Sequence, residues 1–380
     1  MTEAPPVAVY LHWPYCARIC PYCDFNVVRD RGRTEEQAGL AAAMEADLRA
    51  QAAMLGPRRL VSIFFGGGTP SLMPPEAAGR LIETARALFP STAPIEVTLE
   101  ANPTDAETAR YRAFADAGVN RLSLGVQSLD DEALRFLGRD HDAASARRAV
   151  AAAQAVFGRV SIDLIYARPG QTAEAWRAEL AEAIALAPEH VSPYQLTIEP
   201  ETAFGRAHRR GTLIPPPEDD QESLYDVTQE VLEATGLSAY EVSNHARGEA
   251  ARSAHNLAVW RGVEYLGVGP GAHGRLNLNG ARTATAAHRR IEDYVAAVGE
   301  AEAGFAETDP LSPLAAAEER LMLGLRTVEG VALAALAPLE INARVEPLIE
   351  AGFLTLSSGR LAATPHGRKV LDGVIRALLV

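Results

Sequence analysis

Residues 10–25 read YLHWPYCARICPYCDF, and Cys16, Cys20 and Cys23 within them are the three cysteines of the chain. Their C-x3-C-x2-C spacing puts three thiols on one tight loop. Thiolates are the usual protein ligands of iron–sulfur clusters. A four-iron cluster takes four ligands, so three thiolates leave one iron open to bind something else. A structural zinc site would show four Cys or His ligands in paired C-x2-C spacing, and the second pair is missing. A disulfide would leave one cysteine over and does not suit a reducing compartment. The spacing favours a [4Fe-4S] cluster.

Working outward, the loop follows a β-rich apolar run at 7–13, the first of six. The others lie at 60–65, 95–99, 121–126, 160–166 and 191–197, with helix-like segments at 34–54, 75–88, 105–117, 143–157 and 172–186. Such βα alternation implies a parallel sheet with right-handed crossovers. Six units make an incomplete TIM-like (βα)6 barrel, and a doubly wound open sheet is the alternative. The polar motifs favour the barrel. The cysteines follow the first run and GGGTPS, 66–71, the second. Glu100 and Asn102 end the third, and Gln127 and Ser128 the fourth. Asp163 lies in the fifth, and Tyr194 and Gln195 in the sixth. A barrel collects strand ends on one face, whereas an open sheet concentrates its motifs at one switch point. Glycines in GGGTPS let backbone groups approach a polar ligand. No Gly-Lys-Ser/Thr follows, so this is not a P-loop.

Beyond residue 205 the alternation weakens. RRGTLIPPPEDDQ, 209–221, reads as a linker, followed by a helix at 223–235 and a strand at 239–243. The glycine-rich GVEYLGVGPGAHGR, 262–275, reads as a tight loop pressed against something, or as a convoluted connection. The last part offers helices at 313–326 and 343–351, a hairpin turning at Ser358-Gly359, and a final helix. The expected organisation is an α/β barrel over 1–205, an extension over 206–311 and a winged-helix-like α+β module over 312–380. The 380 residues carry a formal net charge of −13, which argues against nucleic acid and makes a lid or docking surface the better use of that module. No apolar run approaches the roughly 20 residues that span a bilayer, leaving at most a peripheral membrane contact. The N-terminus lacks a signal-peptide pattern, so a cytoplasmic location is expected.

The 10–25 stretch closely resembles the radical S-adenosylmethionine (SAM) superfamily. From there through SPYQLTIEP, YEVSN and GVGPGAH to the final module, the chain resembles its HemN/HemW branch of coproporphyrinogen oxidases and heme chaperones. The resemblance implies that the open iron chelates SAM through its amino and carboxylate groups. Reductive cleavage then gives methionine and a 5′-deoxyadenosyl radical. It implies SAM contacts at Tyr10, Gly67, Gly68, Thr69, Glu100, Gln127, Arg139 and Asp163, with Tyr22 at the cluster edge. Ala167-Arg168 departs from the family pattern beside Asp163.

Two features then point to the chaperones. Phe25 stands where the oxidases usually carry a further cysteine, and only 15 residues precede Cys16, where the oxidases carry a long extension. The family's H-N-x-x-Y-W motif appears as His255, Asn256 and Trp260 with Val259 in the tyrosine's place. A neutral imidazole is a good axial ligand for heme iron. His255 is thus the expected heme ligand, with local hydrogen bonding as its alternative role and His273 as a second candidate. The implied partners are heme and heme-requiring recipient proteins. The enzymatic alternatives are an oxygen-independent coproporphyrinogen III oxidase and a related radical SAM methyltransferase.

Overall fold

A computed structural model describes residues 4–301 and 303–380. Six strands stand in the expected places: β1 (Pro6–Trp13), β2 (Arg59–Gly67), β3 (Glu96–Ala101), β4 (Arg121–Gln127), β5 (Arg159–Tyr166) and β6 (His190–Gln195). They lie side by side in chain order, and every neighbouring pair is parallel. Chain-order pairing without reversal winds every crossover the same way. A doubly wound sheet would reverse at a switch point, so the barrel reading holds.

Side-chain alternation sorts the two faces of each strand. Val7, Val9, Leu11 and Trp13 join one core with Leu40, Met44 and Leu48 of α1 (Thr34–Ala53). Ala8, Tyr10 and His12 take the alternate positions, on the inner face. Further helices cover the outside at α2 (Pro75–Leu88), α3 (Ala143–Val156) and α4 (Ala173–Ala185). Asp142 and Thr172 start the last two by accepting the backbone N–H of Ser145 and Ala175. The helix expected over 105–117 is broken into Asp105–Thr108 and Tyr111–Asp116. Glu107 accepts the Ser71 hydroxyl and the Asn102 N–H, while Arg110 donates to the carbonyls of Ser71 and Met73. Both side chains are drawn to the glycine loop, and the chain turns to deliver them.

The segment beyond 205 continues the same sheet. It adds β7 (Ser238–Glu241), β8 (Asn244–Ala246), β9 (Glu264–Val268), β10 (His273–Leu278), β11 (Ala281–Ala287) and β12 (Phe305–Pro310). The 12 strands run β12-β11-β10-β9-β1-β2-β3-β4-β5-β6-β8-β7. The 262–275 stretch therefore holds a strand, β9, parallel to β1, and not only a loop. Its glycines do meet close neighbours. A Cβ on Gly269 would stand 2.3 Å from the His12 carbonyl oxygen, and one on Gly271 2.5 Å from the Asn26 amide. Two helices of this half matter below: α5 (Glu218–Ala234) and α6 (Ala254–Trp260).

The C-terminal module begins with α7 (Pro313–Gly324). Its hairpin, Leu354–Ser357 with Arg360–Ala363, turns through Ser358 and Gly359 at φ 49° and 73°. Two successive positive φ angles make the tight turn that matches strand twist. Leu321, Leu336, Leu361 and Leu378 form a small core of the module's own. Glu319 of α7 binds Arg275 of β10 and Arg282 of β11, at 2.5 and 2.6 Å. At the other edge Thr327 pairs with Glu241 at the end of β7. The module thus ties both sides of the sheet together across the gap that six units leave.

Candidate functional site

The loop after β1 is held in place before any ligand is considered. Val28 donates to Pro14 and Asp30 to Cys16, while the N–H groups of Gly68 and Thr69 reach the carbonyls of Trp13 and Tyr15. Gly68 has no room for a side chain. A Cβ there would lie 2.7–2.8 Å from the Pro14–Tyr15 backbone. Gly67, at φ 107°, is pressed against the His12 ring, 2.6 Å from an ideal Cβ. The glycines were expected to serve a ligand by close approach. They serve the cysteine loop first.

One cavity of about 460 Å³ opens at the C-terminal ends of the strands, lined by Cys16, Cys20 and Cys23. Tyr22, Gly67, Gly68, Thr69 and Glu100 stand in the same wall, as do Gln127, Arg139 and Asp163. Six separate βα units contribute to it. Arg139 Nη1 reaches Cys20 Sγ at 3.3 Å, and Nη2 reaches the Gly125 carbonyl at 3.0 Å and the Asn102 side chain. Its Nε is buried without a partner. Asn102 in turn donates to Thr69 at 3.1 Å. Ser123 donates to Asp163 at 3.1 Å. Gln127 adopts φ 64°, left-handed for a non-glycine residue, at its strand end. Asn102, Ser123 and Gly125 belong to this wall but were not singled out as ligand contacts. Only their place at strand ends hinted at it.

Electrostatics test whether these residues suit a cluster. Burial pushes the Cys16 thiol up to about 12 and raises Cys23 as well. Bare thiolates are therefore disfavoured here, and a cationic iron cluster removes that penalty. Among the described residues no three Cys, His, Asp or Glu side chains converge on a single-ion site, the cysteines included. Two carboxyls face the same space. Burial, then the nearby Asp163, raises Glu100 to about 8. Burial raises Asp163 too, against hydrogen bonds from Ser192 and Ser123. Arg121 and, for Asp163, Arg139 of the same wall act against that rise without overcoming it. The donor set fits a [4Fe-4S] cluster, and the carboxyl pair fits a cationic ligand beside it.

Tyr10 does not line this cavity. Its ring packs against Gly66, where a Cβ would stand 2.9 Å away, and its hydroxyl pairs with His12 Nδ1 at 3.0 Å. It faces a second cavity of about 700 Å³ together with His12, His255, His273 and His288. Asp24 and Phe25 line both cavities and form the wall between them. Asn26 fixes that wall, donating to the carbonyls of Pro270 and Arg289, both at 2.9 Å, while its own carbonyl meets His12 Nε2. His255 is 6 % exposed, at the start of α6. Its Nδ1 meets Ser62 Oγ at 3.1 Å, and its ring stacks on Phe64 at 4.9 Å. Burial pulls its pKa down to about 4, so the imidazole is neutral at pH 7. The local hydrogen bond foreseen for it thus exists, through one ring nitrogen.

The comparisons with known proteins agree with this geometry. The Radical SAM superfamily matches residues 10–183, and the HemN C-terminal domain matches residues 311–370. Radical S-adenosyl methionine domain-containing protein 1, mitochondrial, of Bos taurus is 38 % identical, covering 98 % of this chain and 87 % of that protein. The heme chaperone HemW of Escherichia coli (strain K12) is 34 % identical, with 100 % of each chain covered. The solved structure of coproporphyrinogen III oxidase (HemN) from Escherichia coli superposes with a TM-score of 0.82 at 20 % identity, over 99 % of this chain and 90 % of that one. At that identity the structure speaks for the fold. With relatives of 34–38 % identity matched along most of their length, the chain belongs to the radical SAM superfamily, in its HemN/HemW branch.

Proposed function

We propose that this protein is a heme chaperone, which holds heme in the second cavity and passes it to heme-requiring proteins. The observation that carries the proposal is His255. It offers a neutral imidazole to a cavity of about 700 Å³, and Ser62 occupies only one of its ring nitrogens. A neutral imidazole is what heme iron takes as an axial ligand. The names of the bacterial relatives support the same function.

Membership of the superfamily implies a [4Fe-4S] cluster and SAM. When bound, the cluster supplies an electron and one open coordination position to SAM. The chain's part is to hold and orient. Cys16, Cys20 and Cys23 would bind the cluster, and Arg139 Nη1 donates to Cys20 Sγ. SAM lies against the loop of Gly67, Gly68 and Thr69 and is steadied by Glu100, Gln127, Arg139 and Asp163. Phe25 separates this chamber from the heme.

The test is a heme titration of the anaerobically reconstituted protein. Heme should bind with a shifted Soret band, and His255→Ala should weaken binding or change the spectrum. Coproporphyrinogen III should not be converted to protoporphyrinogen IX under reducing, SAM-replete conditions. Efficient conversion would overturn the chaperone in favour of the oxidase. Heme binding untouched by His255→Ala would move the ligand to another residue, with His273 of the same cavity examined next.

A further inference from the structure

A third cavity, of about 440 Å³, lies in the seam between the barrel and the C-terminal module. Its floor includes Tyr166, Gln195 and Thr197, at and just beyond the ends of β5 and β6. Gln195 and Thr197 also line the cysteine cavity, so the two chambers adjoin on the same barrel face. The other side includes Arg326, Arg368 and Lys369 of the module. One carboxylate, Asp372, lines it against these three cations, in a chain whose net charge is −13. Lys369 is already held by Glu222 and Asp226. Arg368 meets the Tyr225 hydroxyl, a neutral partner, and neither arginine makes an ion pair of 4 Å or less among the described residues. Arg326 lies over the Trp260 ring at 4.9 Å, and its Nε is buried without a hydrogen-bond partner. His245, 1 % exposed, also lines the cavity, its Nε2 donating to Gln229 Oε1 at 3.4 Å. Buried polar atoms are rarely left unpaired. The unpaired N–H of Arg326, beside the guanidinium of Arg368, asks for an acceptor-rich ligand, and the flat fork of arginine matches carboxylate and phosphate.

We infer that this seam is a binding site for an oxyanion, the carboxylate or phosphate group of a small ligand. Arg326 and Arg368 grip the anion, and His245 completes the wall. The occupant touches the ends of β5 and β6 and the module at once, so it pins the module over the barrel mouth. The site is distinct from the proposed heme cavity, and its test involves no heme.

The experiment titrates the full-length reconstituted protein with inorganic phosphate in one arm and citrate in the other, by calorimetry at constant ionic strength. The arm that saturates at lower concentration identifies the preferred group. Arg368→Gln and Arg326→Gln should each weaken that binding about tenfold, the scale of one charge-assisted hydrogen bond. Arg177→Gln, which removes an exposed pair with Glu230, should leave it unchanged. The anion should also slow amide hydrogen exchange over residues 365–373 in the parent protein. Arg326→Lys keeps a cation over Trp260 and serves if the glutamine variant at that position misfolds. Saturable binding in either arm, weakened in the arginine variants, supports the site. Absence of saturable binding of both anions, or equal binding by Arg368→Gln, overturns it.

Discussion

Gly68 shows how a single residue links two tasks. Its missing side chain lets the glycine loop lie directly on the Pro14–Tyr15 backbone. If Gly68 served SAM alone, Gly68→Val would weaken SAM binding and spare the cluster. The contact predicts instead that both suffer, because the added carbons push on the loop that carries Cys16. Iron content and the reduced-cluster signal in electron paramagnetic resonance should both fall; full iron content with lost SAM affinity would show that the loop tolerates the shift. Glu100 gives a pH prediction. Its folded pKa, about 8, lies above the ordinary glutamate value of about 4.3. The stability it contributes is therefore fully present below the ordinary value and is lost as pH rises through about 8. A cationic ligand beside Glu100 favours the ionised form. SAM affinity should rise between pH 6 and 8.5 in the parent protein and stay flatter in Glu100→Gln, as read by calorimetry.

At the scale of elements, α7 holds the module to the sheet. Burial pushes the Glu319 carboxyl up, but hydrogen bonds from Arg275 and Arg282 outweigh it and leave the group below the usual range. Its side chain is 13 % exposed. Removing one partner of a largely buried ion pair leaves the other charges uncompensated. Glu319→Ala should cost about 2–4 kcal/mol, measured by denaturant unfolding. The sign with pH is opposite to that of Glu100. A depressed acid stabilises above its ordinary pKa, and that contribution disappears as pH falls through the folded value. The parent protein should therefore lose its advantage over Glu319→Ala on acidification below about pH 4. An advantage that persists there would place the strength of the seam elsewhere.

The whole molecule sets two chambers side by side on the inner face of one curved sheet, with Asp24 and Phe25 between them. Cys20 lines the first chamber only, and His255 the second only. Their functions should separate accordingly. Cys20→Ala should abolish the cluster signal and keep heme binding. His255→Ala should keep iron and sulfide content and disturb the Soret band. Joint loss of both ligands in either variant would mean that the wall is not a partition.

Much of this was legible in residues 10–25 and in the six apolar runs. Cysteine spacing puts three thiols on one tight loop wherever that loop lies, and strand periodicity states which side chains share a face. Glu100, Gln127 and Asp163 could be placed together because a parallel barrel brings strand ends to one rim. Other features depended on contacts between residues far apart in the chain. Tyr10 sits two positions from His12 on β1, yet its place in the second cavity depends on Gly66 leaving room for its ring. His255 meets Ser62 across 193 residues of chain, and Asn26 meets Arg289 across 263. Periodicity reports local burial, not which distant segment supplies it. The parallel pairing of β9 with β1 was hidden for the same reason: a short strand among glycines looks like a loop until a partner strand takes up its hydrogen bonds. The sequence by itself determined the cysteine loop, the barrel and the rim residues. Tertiary structure alone decided that Gly68 supports the cysteine loop, that Tyr10 and His255 share a chamber, and that the module closes the sheet, because each depends on packing between segments that no local pattern connects.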